Sequence, residues 1–366
     1  MAAQTNEVDS IWMQRALQLA ERGLYSTSPN PRVGCVIVDA DQQVVGEGFH
    51  ERAGEPHAEV NALRQAGNKA KGATAYVTLE PCSHFGRTPP CCQALIKAEV
   101  RRVVFAMQDP NSLVSGRGLQ ALKEAGIEVA GPVLEQQAYA LNAGFIKRMT
   151  DNLPLVRTKS AMSLDARTAM ASGESQWITG ADARQDVQHW RARSCAIITG
   201  VDSVIQDDPK MTVRLADCQR QPIRIIVDSH GRTPAQAAIF DQPGQTIIAT
   251  TEQAKLDVAL IQRASDVWRL PEKDGRVDLH ALQAQLAEQQ CNEVLVEAGA
   301  SLTGSYLMAG LVDEMVVYMA AKLLGSSARP LFQLPFERMS QAIDLTITQV
   351  EPVGSDWRII ATPNFK

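Results

Sequence analysis

Along the first 150 residues, short apolar runs alternate with stretches in which apolar residues recur every three or four positions. Ile11, Leu17, Leu19, Ala20 and Leu24 follow Asp9 and Ser10, which predicts a capped amphipathic helix over roughly 11–22. Ser28-Pro29-Asn30-Pro31 ends it. Val33 to Val38 and Val44 to Phe49 read as a hairpin across Asp39 to Gln43. A helix is expected from near His57, a strand over 73–79 and a helix from around Pro90. A strand over 102–107, a helix near 118–125, a strand near Ile127 and a helix over 133–148 follow. Strands alternating with helices predict an α/β sandwich with a largely parallel sheet.

The polar turn Thr150-Asp151-Asn152-Leu153-Pro154 reads as a boundary, giving domains 1–150 and 151–366. The rhythm then restarts, with strands expected near 195–199, 223–227, 246–250, 294–297 and 315–320. Helices are expected near 181–192, 278–289 and 301–309. At 366 residues the chain is long enough for two cores. No apolar run approaches the roughly 18 residues of a membrane helix, and the N-terminus has no basic-then-apolar leader, so a cytoplasmic protein is expected.

Charge narrows the function. The net charge is −5, with 15 basic and 15 acidic residues in the first 150 positions and 21 and 26 in the rest. Neither part has the basic excess that tracks a phosphate backbone, so a small-molecule substrate is expected and no nucleic acid. Seven cysteines in a reducing compartment argue against a disulfide framework. Cys35 and Cys195 sit in apolar runs and read as core, and Cys218 and Cys291 carry no assignment. Cys82, Cys91 and Cys92 cluster.

The strongest chemical signal is His57-Ala58-Glu59, then Pro81-Cys82, then Cys91. A catalytic zinc keeps three nitrogen or sulfur ligands and one open position, and His57, Cys82 and Cys91 meet that count. A helix starting at Cys91 stabilises a thiolate through its exposed N–H groups. Glu59, two residues beyond the histidine, can point past the metal and carry protons between water, a ring nitrogen and leaving ammonia. A structural zinc is the competing reading, with His84 or Cys92 as fourth ligand; His50 either lines the pocket or is an ordinary loop histidine.

The pattern resembles the zinc nucleobase deaminases, H-x-E followed by P-C-x-x-C, except that Ser83 to Pro90 separate the cysteines here. With Asn30-Pro31-Arg32-Val33-Gly34, Gly46-Glu47-Gly48-Phe49-His50, Thr78-Leu79-Glu80-Pro81-Cys82-Ser83-His84 and Gly86-Arg87-Thr88-Pro89-Pro90-Cys91, the first half is similar to the deaminase half of the bifunctional riboflavin-biosynthesis deaminase–reductases. The resemblance implies a cytidine-deaminase-like α/β/α sandwich and one zinc ion. It implies 2,5-diamino-6-(5-phosphoribosylamino)pyrimidin-4(3H)-one as substrate, with Asn30 on the pyrimidine and the 83–90 loop around its phosphoribosyl end.

In the second half, Val294 to Gly299 runs from a strand into a turn, and Ala300-Ser301-Leu302-Thr303-Gly304-Ser305 opens a helix. Its N-terminus could hold a pyrophosphate, although Ser305-Tyr306 rules out a P-loop. Arg191 and Arg214 could grip one phosphate, or be surface arginines. Lys159 to Arg167, Ala169 to Thr179, Asp207-Asp208-Pro209, Thr212-Val213-Arg214, Val227-Asp228-Ser229 and Glu297-Ala298-Gly299 resemble the family's reductase half. That resemblance implies a dihydrofolate-reductase-like α/β fold that uses NADPH to reduce a ribosyl to a ribityl chain. It places Ala161, Trp177, Ser203, Asp207, Ser229 and Gly299 to Ser305 at the cofactor, and Lys159, Ser175, Arg191, Met211, Arg214 and Glu297 at the substrate. Ala166 stands where the family has glycine; its methyl group costs nothing if φ is negative and crowds the turn otherwise. Family members also suggest a homo-oligomer. Two other readings stay open: a nucleic-acid editing deaminase with a C-terminal binding module, and a nucleotide sensor without turnover.

Overall fold

The computed structural model describes residues 6–83, 90–111, 115–216, 218 and 220–365. It divides into two compact units, Met1–Asn152 and Leu153–Lys366. The first unit runs α1 (Glu7–Glu21), β1 (Gly34–Val38), β2 (Val44–Phe49), α2 (Ala58–Ala66), β3 (Thr74–Val77), α3 (Cys91–Lys97), β4 (Arg102–Phe105), α4 (Arg117–Glu124), β5 (Glu128–Ala130) and α5 (Glu135–Asp151). The sheet order is β2-β1-β3-β4-β5. β1 pairs antiparallel with β2 and β3, whereas β3, β4 and β5 are parallel. The sheet is therefore mixed rather than largely parallel, because the β1–β2 hairpin forms its edge.

Two glycines set the layers. A Cβ at Gly34 would lie 2.0 Å from the Ala16 carbonyl oxygen of α1, and one at Gly48 would lie 2.5 Å from that of Ala58 in α2. Gly34 opposes Phe49, the neighbour of Gly48, so the two glycines face opposite sides of the sheet. The helices thus cover both faces, and β1, Gly-Cys-Val-Ile-Val, is buried along its whole length. The N-cap of α1 is Asn6, not Asp9 or Ser10, because Asp9 is the third helical residue of a capping box. Its carboxylate is buried against Arg102 of β4, at 2.7 and 3.0 Å, and the Tyr76 hydroxyl of β3, at 3.1 Å.

In the second unit the elements are β6 (Leu155–Ser163), β7 (Arg167–Ala169), α6 (Ala181–Arg193), β8 (Ala196–Gly200), α7 (Val201–Asp207), β9 (Ile223–Val227), β10 (Thr246–Thr251), α8 (Val258–Arg263) and β11 (Asp266–Leu270). Then come β12 (Glu272–Lys273), β13 (Arg276–Val277), α9 (Leu279–Glu288), β14 (Glu293–Val296), α10 (Ala300–Met308), β15 (Glu314–Ala320), β16 (Arg329–Pro330), β17 (Asp344–Val353) and β18 (Asp356–Asn364). The main sheet is ordered β11-β10-β9-β8-β14-β6-β15-β18-β17. It is parallel from β11 to β15, with β18 and β17 added antiparallel. Buried Arg157 on β6 pairs with Glu293 of β14 and Glu314 of β15, which fixes the register of the three central strands.

Ala166 has φ +57, in the left-handed region. Its turn is held by the Asp165 carboxylate, which accepts the Leu324 and Gly325 N–H groups, and by Leu331 N–H on the Ala166 carbonyl. The alanine methyl group therefore carries a conformational cost that glycine would avoid.

Candidate active sites

His57 is the N-cap of α2 and Cys91 is the first residue of α3, so two helix starts bring them together. Cys82 lies in the segment after β3. The His57 Nδ1, Cys82 Sγ and Cys91 Sγ atoms all fall within 4.8 Å of one another. His57 Nδ1 is 3.2 Å from Cys91 Sγ and 3.6 Å from Cys82 Sγ. Cys82 also caps α3: its carbonyl accepts the Cys92 N–H and its sulfur accepts the Cys91 N–H, each at 3.2 Å. Hydrogen bonds from the Cys91 thiol, His57 and this N–H lower the Cys82 thiol to about 4, against the effect of burial. The same contacts favour its thiolate form.

Glu59 is buried on the first turn of α2. Burial, then the neighbouring Cys82 thiolate, pushes its carboxyl up to about 7. Two sulfur donors, an imidazole and a buried carboxylate gathered in one place make a donor set that a divalent, thiophilic cation neutralises, and zinc fits it. Cys92, although next in sequence, stands outside this trio. His84 and most of the 83–90 loop lie outside the described residues.

Further side chains support the trio from around it. The ring of buried His50 meets that of His57 edge to face at 5.2 Å. Burial lowers the His50 pKa, so the ring is neutral. Its Nδ1 lies 3.2 Å from the Pro56 carbonyl, to which it donates, and its Nε2 therefore accepts the Asn30 amide at 3.0 Å. Asn30, singled out from sequence, is thus linked through His50 to the trio, and its carbonyl oxygen makes no hydrogen bond among the described residues. Glu80 had no assigned part. Its buried carboxylate accepts the N–H groups of Gly116 and Gly118, both at 2.9 Å, tying the Cys82 segment to the start of α4. The approach is so close that a Cβ on Gly118 would sit 1.9 Å from the Pro81 carbonyl oxygen.

In the second unit, Glu297 accepts a bidentate pair from Arg191, Nε at 2.6 Å and Nη2 at 3.0 Å. Lys159 Nζ lies 4.0 Å away and Met211 Sδ is 3.9 Å from Arg191 Nη2. Burial lowers the Lys159 pKa, with Glu297 only partly offsetting it. Burial would raise Glu297, but Arg191 outweighs it and holds the carboxyl low. Arg191 also donates to the Thr212 carbonyl at 3.0 Å, so its guanidinium is committed to protein groups, whereas Arg214 is exposed without an ion pair among the described residues. The structure therefore does not pair the two arginines as equal, free phosphate ligands.

A cavity of about 1230 Å³ in the second unit is lined by Ser203, Ser229, Gly299, Ser301, Leu302 and Ser305. Gly299 is the N-cap of α10 and no side chain caps that helix. A Cβ at Gly299 would meet only Ser203 Oγ, at 3.9 Å, so the glycine leaves open space over the first-turn N–H groups. This is a fit for a dinucleotide pyrophosphate. Thr303 and Gly304 are buried instead: Thr303 Oγ1 donates to the Ala298 carbonyl, and a Cβ on Gly304 would come 2.3 Å from the Gln333 carbonyl oxygen. Ala300 lies between them and Gly299 on the first turn. The Ala161 side chain packs toward Val316 and Tyr318, so a ligand would meet its backbone. Beyond Thr158, β6 no longer pairs with β14, leaving that backbone edge open among the described residues. Trp177 is exposed under the Arg184 guanidinium, 4.6 Å from its ring centroid, and Ser175 Oγ is 3.5 Å from Asp207.

Each unit is matched by a different family. The cytidine and deoxycytidylate deaminase zinc-binding region matches residues 6–107, and the RibD C-terminal domain matches residues 154–359. The riboflavin biosynthesis protein RibD of Escherichia coli K12 is 52% identical over 361 residues, 95% of this chain and 97% of that protein. The Haemophilus influenzae RibD is 46% identical, covering 97% of each. An Acinetobacter baumannii RibD structure superposes with TM-score 0.91 at 50% identity, covering 98% of this chain and 99% of that one. A Thermotoga maritima structure described as a diaminohydroxyphosphoribosylaminopyrimidine deaminase/5-amino-6-(5-phosphoribosylamino)uracil reductase reaches 0.88 at 31% identity, with the same coverage. These end-to-end matches favour two enzymes over an editing deaminase with a binding module. The chain belongs to the RibD family, bifunctional riboflavin-biosynthesis enzymes that join a zinc-binding deaminase domain to an NADPH-dependent reductase domain.

Proposed function

We propose that the first unit deaminates 2,5-diamino-6-(5-phosphoribosylamino)pyrimidin-4(3H)-one. The second then reduces the ribosyl chain, giving 5-amino-6-(5-phosphoribitylamino)uracil. The observation that carries the reading is the meeting of His57, Cys82 and Cys91 with buried Glu59 on the adjoining helix turn.

His57, Cys82 and Cys91 would hold the metal, and Glu59 is the catalytic carboxylate. Zinc supplies Lewis acidity that makes water a nucleophile at neutral pH. Glu59 accepts the water proton and returns protons to the ring nitrogen and to the departing ammonia. Asn30 orients the ring through the carbonyl oxygen that His50 leaves available. In the second unit NADPH supplies the hydride. Gly299 to Leu302, Ser305, Ser203, Ser229, Asp207, Trp177 and the Ala161 backbone hold the dinucleotide, with buried Thr303 and Gly304 supporting the turn from behind. Arg214 takes the substrate phosphate, while Lys159, Ser175, Met211 and the Arg191–Glu297 pair shape the sugar site.

The reading includes a cytoplasmic homo-oligomer acting on small molecules and not on nucleic acid. Seven free cysteines suit a reducing compartment, and no described helix is long and apolar enough to cross a membrane. Ammonia release tests the first half directly. Glu59→Gln is expected to keep its zinc and lose about a hundredfold or more in deamination rate. A variant that retains the wild-type rate removes Glu59 from the mechanism.

A further inference from the structure

We propose that Lys273 and Arg276 select NADPH over NADH by binding the phosphate on its adenosine ribose; the inference rests on the reductase reading above. The two residues stand on the hairpin β12–β13. Asp274 and Gly275 form its two-residue turn, with φ +53 and +74, as a tight hairpin turn requires. In this register Lys273 is directly opposite Arg276. Like charges facing each other across a hairpin destabilise it unless an anion sits between them. Among the described residues neither cation forms an ion pair, and Asp274 at the tip pairs with neither. Arg232, the other arginine at this cavity, is already paired with Asp202 at 2.9 Å.

The direction of the cofactor follows from the sheet. Lys159 is on β6 and Glu297 follows β14, so the reacting, nicotinamide end belongs over those strands. Ser203 follows β8 and Ser229 follows β9, successive strands toward the other edge. A dinucleotide with its pyrophosphate at Gly299 to Ser301 therefore carries its adenosine toward β8 and β9. The hairpin is fastened there: the Val277 N–H donates to Ser229 Oγ at 3.0 Å. Arg276 Nη1 lies 3.4 Å from Ser301 Oγ, one side chain away from the pyrophosphate position. The phosphate that distinguishes NADPH from NADH is on the adenosine ribose, where these two unpaired cations line the cavity.

Binding, not turnover, is the test. Dissociation constants for NADPH, NADH and 2′,5′-ADP are measured by calorimetry on the full chain, for wild type, Lys273→Ala, Arg276→Ala and the double variant. Each single substitution is expected to weaken NADPH and 2′,5′-ADP about tenfold or more, a charge-assisted phosphate contact apiece, and to leave NADH unchanged. Both side chains are exposed, and the unliganded melting temperature should hold. Unchanged NADPH affinity in the double variant overturns the inference and leaves the reductase reading standing. Equal loss for NADPH and NADH also overturns it, since the hairpin would then serve the pyrophosphate. A wild-type chain that binds neither dinucleotide brings down the reductase reading itself.

Discussion

The main-chain N–H of Cys91 donates to the sulfur of Cys82 at 3.2 Å, so one ligand candidate is held by the first peptide of the helix that carries the other. Cys82 is at once the proposed metal donor and the cap of α3. Cys82→Ser is expected to reduce zinc content well below the roughly one ion per chain of a three-ligand site. Cys92→Ser, outside the trio, should retain it. Metal analysis after gel filtration decides, and full zinc content in both variants would remove Cys82 from the ligand set.

Gly118 and Pro81 touch where the Cys82 segment crosses the start of α4. Gly118→Ala forces that segment away, because the new methyl group would lie 1.9 Å from the Pro81 carbonyl oxygen. A cost of about 1–3 kcal/mol is expected in the first unit. Faster loss of zinc to a chelator should accompany it, while NADPH oxidation with the deaminated substrate stays at the wild-type rate. A chelation rate equal to wild type would show that this contact does not position Cys82.

Ala166 offers the opposite sign. At φ +57 it bears a strain that glycine does not. Ala166→Gly is expected to stabilise the second unit by about 0.5–1 kcal/mol, read as a raised denaturant midpoint with unchanged slope. A lowered midpoint would mean that the added backbone freedom of glycine outweighs the strain.

Acid sensitivity should trace partly to Asp9. Burial alone would raise its carboxyl, but Arg102, the Asn6 N–H and Tyr76 together hold it below the ordinary 3.8. A carboxyl lowered on folding contributes stability that is fully present above its unfolded pKa, near pH 4, and is lost as pH falls through the folded value. Asp9→Asn is expected to cost about 1–3 kcal/mol at pH 7, since half-buried Arg102 then keeps Glu128 as its one ion-pair partner among the described residues. The difference from wild type should shrink below pH 4. Parallel stability–pH curves would contradict this.

Much of the first unit could be read from sequence because its helices and strands are short, strongly periodic and bounded by Gly or Pro. The meeting of His57, Cys82 and Cys91 was legible because zinc chemistry dictates residue types. Sheet direction was not: an apolar run such as Gly34 to Val38 is buried on both faces whichever way its neighbours run. Asp9 was read as a cap when its carboxylate is needed by Arg102, ninety-three positions away. Glu80 left no local signal either, since its partners arrive from α4. The long hairpin β17–β18 and the cations of β12–β13 were passed over, although Lys273-Asp274-Gly275-Arg276 carries the Asp-Gly turn signature. For the second unit the pattern of charges suggested that Arg191 and Arg214 grip one phosphate, but Arg191 is committed to Glu297, a partner that arrives from the end of β14 and leaves no local signal.

The central claim is that one chain deaminates first and reduces second, and NADPH oxidation tests it most directly. Wild type and Glu59→Gln would each be given the diamino-pyrimidine phosphoribosyl compound and, separately, its deaminated product. The account predicts that wild type consumes NADPH with either compound and the variant only with the deaminated one. Equal consumption by the variant with the diamino compound would contradict the order, and no consumption by wild type with the deaminated compound would contradict the reductase.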